Sequence, residues 1–151
     1  MYQKNKDKYI IDLFCGCGGF AEGFERSGYQ SYLSADFDYW ACQNFKSRFK
    51  KSKVINEDIT SDKFKAILKK QIKGVKIEGV VAGLPCQSFS SVGRAQDKFS
   101  MAKDKRNYFY KDFFECLKII KPNFFVFENV RGILSAKPNG VKIFDNILEL
   151  S

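Results

Sequence analysis

The sequence predicts an α/β protein built on a mainly parallel, doubly wound sheet. Apolar runs of strand length alternate along the chain with segments whose apolar residues recur at helical spacing, which is the order of strand and crossover helix. Glycine or an acidic residue follows each apolar run, as expected where a strand passes into a functional loop. At 151 residues the chain is long enough for one domain with a sizeable core.

Composition narrows the classes of function. The net charge of +9 indicates a polyanionic partner such as nucleic acid, although lysines on solvated helix faces would account for much of it. The five cysteines form no CxxC pair and histidine is absent, so neither a metal site nor an imidazole base is expected. No apolar run reaches membrane-spanning length and no signal peptide is recognisable, so we expect a cytoplasmic protein without a membrane partner.

The first predicted strand, residues 9–14, runs into a glycine-rich turn over residues 15–19. A helix is expected from Phe20 to a stop at Gly28. A strand, a glycine loop and a helix in this order bring backbone N–H groups to a ligand at the start of a helix. A tight structural turn would use the same glycines, so both interpretations stay open at this point.

An acidic residue follows each of the next two predicted strands. Strand 31–35 delivers Asp36 about 20 residues after the glycine loop, where nucleotide-binding α/β folds hold ribose hydroxyls. The short strand after it delivers Asp58, which could instead cap the following helix, as could Thr60 or Ser61. The helices after these two strands are predicted from apolar residues at helical spacing, which are Ala41, Phe45 and Phe49 in one and Phe64, Ile67, Leu68 and Ile72 in the other.

The fourth predicted strand, residues 80–82, ends in a turn that presents Cys86. Gly83 and Pro85 restrict the backbone in opposite ways and together fix how the thiol is presented. A thiol on a rigid turn beyond a strand end can act as a nucleophile. A buried structural cysteine is the alternative, because free cysteine is among the most buried residue types.

The last third of the chain predicts a long loop, a strand and two helices. Residues 91–106 show no clear periodicity and are interpreted as a mobile loop, and strand 124–127 ends in Glu128. The helices are predicted from Phe109, Phe113, Cys116, Leu117 and Ile120, and from Val141, Phe144, Ile147 and Leu148. Because the carboxyl ends of parallel strands meet at one edge of a sheet, five residues are expected to converge there, namely Phe14, Asp36, Asp58, Cys86 and Glu128.

The motifs in this order resemble the cytosine C5 methyltransferases, which use S-adenosylmethionine. The matching segments are residues 12–20, Asp36, residues 58–59, residues 83–90 and residues 128–130. The resemblance implies a Rossmann-like, S-adenosylmethionine-dependent methyltransferase fold. It implies DNA (cytosine-5-)-methyltransferase activity, as in restriction-modification systems.

The resemblance assigns catalytic roles to three residues. The Cys86 thiolate would add to C6 of cytosine and so make C5 nucleophilic enough to accept the methyl group. Glu128 would hold N3 and the exocyclic amine of the base and supply a proton to the ring. Asn129 would brace the turn that carries Cys86 against the fifth strand.

The resemblance also implies the residues that bind the cofactor and DNA. The methionine end of the cofactor would lie at the glycine loop, the ribose hydroxyls at Asp36, one adenine face against Phe37, and the adenine edge at Asp58 and Ile59. The cofactor set is completed by Asp12, Phe14, Cys15, Gly16, Cys17, Gly18, Gly19, Gly83 and Pro85, with no chemistry assigned to the two thiols. Double-stranded DNA, with the target base flipped out of the stack, would contact Gln87, Ser88, Ser90, Arg94, Lys98 and Arg106.

Family members are longer than this chain, so residues 1–151 are expected to form the amino-terminal part of the catalytic domain. The target-recognition domain and the carboxyl-terminal strands of the sheet are not found in the sequence. They would belong to a missing carboxyl-terminal half or to a second polypeptide. Two alternatives stay open, a non-catalytic module that binds the cofactor or DNA, and a cytosine-5 methyltransferase that acts on tRNA.

Overall fold

A computed structural model describes residues 8–85, 105–137 and 140–151 of the chain. Its strands are β1 (Lys8–Leu13), β2 (Tyr29–Asp36), β3 (Lys53–Asn56), β4 (Gly79–Gly83) and β5 (Phe124–Glu128). Its α-helices are α1 (Gly19–Arg26), α2 (Tyr39–Arg48), α3 (Asp62–Gln71), α4 (Phe109–Ile120) and α5 (Ile143–Leu150), with 3₁₀ helices at Lys105–Tyr108 and Arg131–Ser135.

The five strands form one sheet in the order β3-β2-β1-β4-β5, and every neighbouring pair is parallel. The prediction of a parallel, doubly wound sheet is therefore confirmed. The order reverses between β1 and β4, and ligands of such sheets bind where the strand order reverses, outside the carboxyl ends of the strands.

Both faces of the central strands are buried, as expected of a parallel sheet covered by helices. Ile11 and Leu13 of β1 and Val80 of β4 lie in a main core that also takes in Phe64 of α3 and Phe113 of α4. A second, smaller core lies between α1 and α2 and consists of Cys15, Ala21, Phe45 and Phe49. This second core lies directly beneath the glycine loop.

The last predicted helix is present as α5, but only part of the apolar pattern that predicted it is buried. Ile147 is buried and Phe144 half-buried, whereas Val141 precedes the helix and is exposed, and Leu148 is 59% exposed. Ile143, which the pattern did not include, lies four residues before Ile147 and is buried on the same face. An amphipathic pattern with several spare leucines does not settle which of two adjacent stripes is buried.

Most of the predicted long loop lies outside the described residues. Helical structure before α4 begins at Lys105, two residues earlier than expected. In the described part of the chain, no helix combines the length and the apolar character needed to cross a membrane.

Gly79 offers a test of the packing between β4 and β5. A methyl group there would lie 2.3 Å from the Phe124 ring, which is itself held by stacking on Phe24 and by edge contact with Tyr29. We expect Gly79→Ala to lower the free energy of unfolding by about 1 to 3 kcal/mol, because neither ring nor strand can move aside freely.

Gly23→Ala is the matched control, measured by urea unfolding under the same conditions. Gly23 is an exposed position within α1 with nothing near its missing methyl group, so alanine should raise the free energy of unfolding by roughly 0.5 to 1 kcal/mol. If Gly79→Ala were as stable as wild type, the described contact between β4 and Phe124 would be wrong.

Candidate cofactor and catalytic site

The glycine loop between β1 and α1 takes a left-handed backbone conformation at every second residue. The φ angles are 58° at Phe14, 50° at Gly16 and 90° at Gly18. Glycine adopts such angles without strain, but a bulky residue such as Phe14 does so only where its surroundings hold it. The Phe14 ring stacks on Phe109 of α4 at a centroid distance of 5.7 Å, which supplies part of that restraint.

The carboxylate of Asp36 fastens this loop to the end of β2. Its Oδ2 accepts a hydrogen bond of 2.9 Å from the Gly16 N–H, and its Oδ1 accepts one of 2.9 Å from the Asp38 N–H. The Cys15 N–H adds a backbone bond to the Ala35 carbonyl. Asp36 is only 8% exposed, and its hydrogen bonds brace the glycine loop. The sequence predicted a ribose-binding role for Asp36 but did not indicate this structural role.

Arg48, at the end of α2, reaches the same loop from the other side. Its Nη1 donates to the Cys17 carbonyl oxygen at 2.5 Å, and its Nη2 lies 3.2 Å from a carboxylate oxygen of Glu22. No sequence pattern indicates this contact, because Arg48 follows Cys17 by 31 residues and belongs to a lysine-rich stretch that also fits a solvated helix face.

Asp12, near the end of β1, is the most unusual group of the site. It is 1% exposed, and neither carboxylate oxygen has a hydrogen-bond partner among the described residues. Burial is the main cause that raises the pKa of Asp12 from 3.8 to about 7. The nearby backbone N–H of Ala21 lowers this pKa in part, and the negative charge of Asp36 raises it further. A buried carboxylate without a partner is costly, and a cationic ligand would remove that cost.

The ends of β2 and β3 present one exposed aromatic ring and one exposed carboxylate. Phe37 follows Asp36 directly and is 70% exposed. The Asp58 Oδ1 accepts 2.9 Å bonds from both the N–H and the hydroxyl of Thr60, while Ser61 caps α3. Asp58 therefore closes the turn before α3 and leaves the cap to Ser61. The predicted partner Ile59 is buried in the main core, which leaves Asp58 as the exposed side chain of that pair.

The ends of β4 and β5 bring two of the predicted motifs together. Gly83 pairs in register with Glu128, and a Glu128 carboxylate oxygen lies 3.6 Å from where a Gly83 methyl group would stand. Pro85, two residues further along, is half-buried. The Asn129 Oδ1 accepts a hydrogen bond of 2.8 Å from the Val130 N–H. The bracing of the Pro-Cys turn by Asn129 stays a prediction.

Several predicted residues fall outside the described part of the chain. One predicted DNA contact, Arg106, does lie within the described part, in the 3₁₀ helix Lys105–Tyr108. The predicted nucleophile and the other predicted DNA contacts are not described, and these are Cys86, Gln87, Ser88, Ser90, Arg94 and Lys98. The convergence of strand ends is confirmed for the described residues, because Leu13 pairs with Ala35 and Ala82, Asp36 with Asn56, and Gly83 with Glu128.

The buried thiols of the described residues are held in the protonated form. Burial raises the pKa of Cys116 to about 12, and it raises the pKa values of Cys15 and Cys42 as well. A thiol that stays protonated is a poor nucleophile. Cys15 packs in the second core, and Cys17 is exposed on the loop.

Residues 9–150 match the family model described as C-5 cytosine-specific DNA methylase. Type II methyltransferase M.DdeI of Desulfomicrobium norvegicum is 41% identical over 139 residues, which cover 92% of this chain and 32% of that protein. Type II methyltransferase M1.HphI of Haemophilus parahaemolyticus is 38% identical over 125 residues, which cover 83% of this chain and 33% of that protein. The chain thus spans about a third of the length of these relatives.

Solved structures agree with this likeness. The crystal structure of a prophage-encoded E. coli protein described as a DNA modification methyltransferase has a TM-score of 0.74 at 30% identity, covering 95% of this chain and 37% of that one. DNMT2 of Spodoptera frugiperda has a TM-score of 0.64 at 20% identity over 95% of this chain and 41% of that one, a likeness of fold alone. The predicted Rossmann-like methyltransferase fold is confirmed.

The raised pKa of Asp12 predicts an unusual pH dependence of stability. The folded protein keeps the Asp12 proton up to a pKa of about 7, whereas the unfolded chain releases it near 3.8, so stability should fall as the pH rises through this window. A tenfold change in acid dissociation constant is worth about 1.4 kcal/mol, so the full effect is on the order of 4 kcal/mol. Asp12→Asn cannot ionise and should lack this slope.

Urea unfolding at pH 5, 6, 7 and 8 measures the effect. This pH range suits the measurement because the chain has no histidine, whose side chain would titrate within it. Asp145→Asn, which removes an exposed carboxylate of α5, is the control and should keep the wild-type slope. Equal slopes for wild type and Asp12→Asn would contradict an unpaired, buried Asp12.

Proposed function

We propose, from the premise that this chain belongs to the C-5 cytosine-specific DNA methylase family, that it carries the cofactor-binding and nucleophile-bearing part of a DNA cytosine-5 methyltransferase. The named relatives are type II methyltransferases, and the chain spans about a third of their length. Residues 1–151 are accordingly proposed as the amino-terminal part of the catalytic domain of a restriction-modification enzyme. Target recognition is assigned to the remainder of the protein or to a second polypeptide.

The pairing of Gly83 with Glu128 is the observation that carries this proposal. It supports the proposal because the Glu128 carboxylate lies beside Gly83, which precedes Cys86 by three residues in the sequence. A nucleophile and a proton donor for the same base have to lie side by side, and adjacent parallel strands achieve that by ending at one edge. Cys86 and Glu128, which lie more than 40 residues apart in the sequence, would thereby act on the same cytosine ring.

The proposed chemistry rests on this pair. C5 of cytosine is a poor nucleophile, so Cys86 Sγ forms a bond to C6 and pushes electron density onto C5. Glu128 holds N3 and the exocyclic amine and donates a proton at N3 as charge develops on the ring. After methylation, N3 returns its proton to the Glu128 carboxylate, and a water molecule takes the proton from C5. The electron pair of that C–H bond forms the C5–C6 double bond and expels the Cys86 thiolate, which restores the aromatic base. Asn129 is proposed to steady the Cys86 turn during these steps.

The described residues fit S-adenosylmethionine. This cofactor supplies an electrophilic methyl group on a sulfonium, and its methionine end also carries an ammonium. We assign Asp12 to that positive charge, because its buried carboxylate has no hydrogen-bond partner within the described segments. The described residues leave the space next to the Cα atoms of Gly16 and Gly19 open, so a ligand could approach the backbone of the glycine loop there.

The remaining cofactor contacts follow the ends of β2 and β3. Asp36 uses its two oxygens to accept backbone N–H groups, which leaves further lone pairs for ribose hydroxyls. Phe37 offers an exposed ring for one adenine face, and Asp58 an exposed carboxylate for the adenine amine. Double-stranded DNA is proposed as the partner of Arg94, Lys98 and Arg106, whose charges would meet phosphates.

Binding of S-adenosylmethionine should become tighter as Asp12 ionises. Between pH 6 and pH 7.5 the ionised fraction of a group with a pKa of about 7 rises several-fold, so affinity should rise about fivefold to tenfold. Asp12→Asn should bind about tenfold or more weakly at pH 7.5, and its affinity should not vary with pH. Calorimetric titration measures both, with Asp145→Asn as a control that retains the wild-type profile. Wild-type affinity that is constant over this range would remove Asp12 from the cofactor site.

Transfer of a labelled methyl group from S-adenosylmethionine to mixed-sequence duplex DNA tests the reaction. We expect any transfer measured with wild type to be absent with Cys86→Ser, because serine is a far weaker nucleophile towards C6. Cys116→Ala, which changes a buried thiol of α4, should retain transfer. Assays with tRNA in place of DNA test the alternative acceptor.

Each result of this assay has a distinct meaning. Equal transfer by wild type and Cys86→Ser would exclude Cys86 as the nucleophile. Transfer to tRNA but not to DNA would replace the proposed substrate. Cofactor binding without any transfer would show that activity requires the remainder of the enzyme and that this chain alone is a binding module.

A further inference from the structure

The glycine loop is held from behind by the end of α2, through a contact that no sequence motif indicates. The Arg48 guanidinium donates to the Cys17 carbonyl oxygen at 2.5 Å and also lies 3.2 Å from Glu22 in the first turn of α1. A single planar side chain therefore bridges the loop and the helix that the loop begins. Arginine can do this because its guanidinium presents several N–H groups in a rigid fork.

The same end of α2 packs against the loop through two aromatic rings. A methyl group on Gly18 would lie 2.3 Å from the Phe49 ring and 3.0 Å from the Phe45 ring, and the two rings are 4.5 Å apart. The Arg48 guanidinium lies over the Phe49 ring at 5.0 Å from its centroid. The ring thus sets the position of both Gly18 and the guanidinium.

These contacts act on one peptide group. The carbonyl of the peptide between Cys17 and Gly18 accepts from Arg48, and its N–H donates to the Cys15 carbonyl at 2.8 Å. Both polar atoms of that peptide are therefore fixed, and its plane is fixed with them. Gly18 has a φ of 90°, a region where glycine rotates freely unless it is restrained.

We propose that Arg48 is a positioning residue for the cofactor site, which orients the peptide between Cys17 and Gly18 and so sets the direction of the loop N–H groups at the start of α1. This inference rests on the proposed function, since it assumes that the loop receives the methionine end of S-adenosylmethionine. Arg48 itself touches no reacting atom. Its effect reaches the ligand through the backbone that it holds.

The test compares Arg48→Met with Arg26→Met in the full chain. Arg26 is the control because it pairs with the same Glu22 at 2.8 Å but has no described contact with the loop. We expect Arg48→Met to weaken binding of S-adenosylmethionine about tenfold in calorimetric titration, equivalent to about 1.4 kcal/mol. Arg26→Met should bind within twofold of wild type.

Amide hydrogen exchange of the ligand-free protein supplies a readout that does not depend on the cofactor. The Gly18 N–H should exchange about tenfold faster in Arg48→Met, while the Gly28 N–H, which donates to Glu25 at the far end of α1, should be unchanged. A purely structural role would instead lower the melting temperature and change both amides together. Arg48→Lys, which can reach only one of the two acceptors, should fall between wild type and Arg48→Met in both measurements.

Unchanged Gly18 exchange in Arg48→Met overturns the proposal, and so does cofactor affinity within twofold of wild type. Equal weakening by Arg26→Met also overturns it, because the effect would then come from the Glu22 ion pair. If Arg48→Met fails to fold, Arg48→Lys decides on the same two measurements. Wild-type protein that binds no S-adenosylmethionine would refute the proposed function, while faster Gly18 exchange in Arg48→Met would still establish that Arg48 holds the loop.

Discussion

The hydrogen bond between the Gly16 N–H and the Asp36 carboxylate is the interaction on which the site depends. It joins the turn after β1 to the end of β2, at the carboxyl-terminal edge of the sheet. The strand order reverses next to this pair, between β1 and β4. Without it, a loop that takes left-handed angles at every second residue would have little reason to keep one conformation. The bond is 2.9 Å long and partly buried, and it joins residues 20 positions apart in the sequence.

Asp12 and Asp36 show how differently two carboxylates at one sheet edge can be treated. Both are buried, but Asp36 accepts two backbone N–H groups, and Asp12 accepts no hydrogen bond from the described residues. Burial disfavours the ionised form of a carboxylate and raises the pKa of Asp12 to about 7. Under the proposed function, the ammonium of the cofactor would supply the partner that Asp12 lacks among the described residues. A binding site that holds an unmet charge gives up folding stability, and it regains that free energy when a cation binds.

The sequence predicted the order of strands and helices and the edge at which the site lies, because period and loop composition are local properties. It did not predict which apolar residues of α5 are buried, since Ile143 and Leu148 are both strongly apolar and only packing against the rest of the protein separates them. Nor did it reveal that Asp36 braces the glycine loop or that Arg48 reaches Cys17. These contacts join residues 20 and 31 positions apart, and a single sequence carries no periodic signal at such separations.

Asp36 and Arg48, which contact the glycine loop from opposite sides, differ in how strongly they stabilise it. Asp36 accepts two partly buried backbone N–H groups, and losing such hydrogen bonds costs about 0.5 to 1.5 kcal/mol for each. Arg48 is partly exposed, with its side chain 43% accessible, and its ion pair with Glu22 is of the kind that contributes about 0 to 1 kcal/mol. Asp36 and the glycines therefore decide whether the loop forms, and Arg48 decides how narrowly it is oriented once formed. Ligand affinity is sensitive to that second property, because a loop that samples several peptide orientations must be ordered again each time the ligand binds.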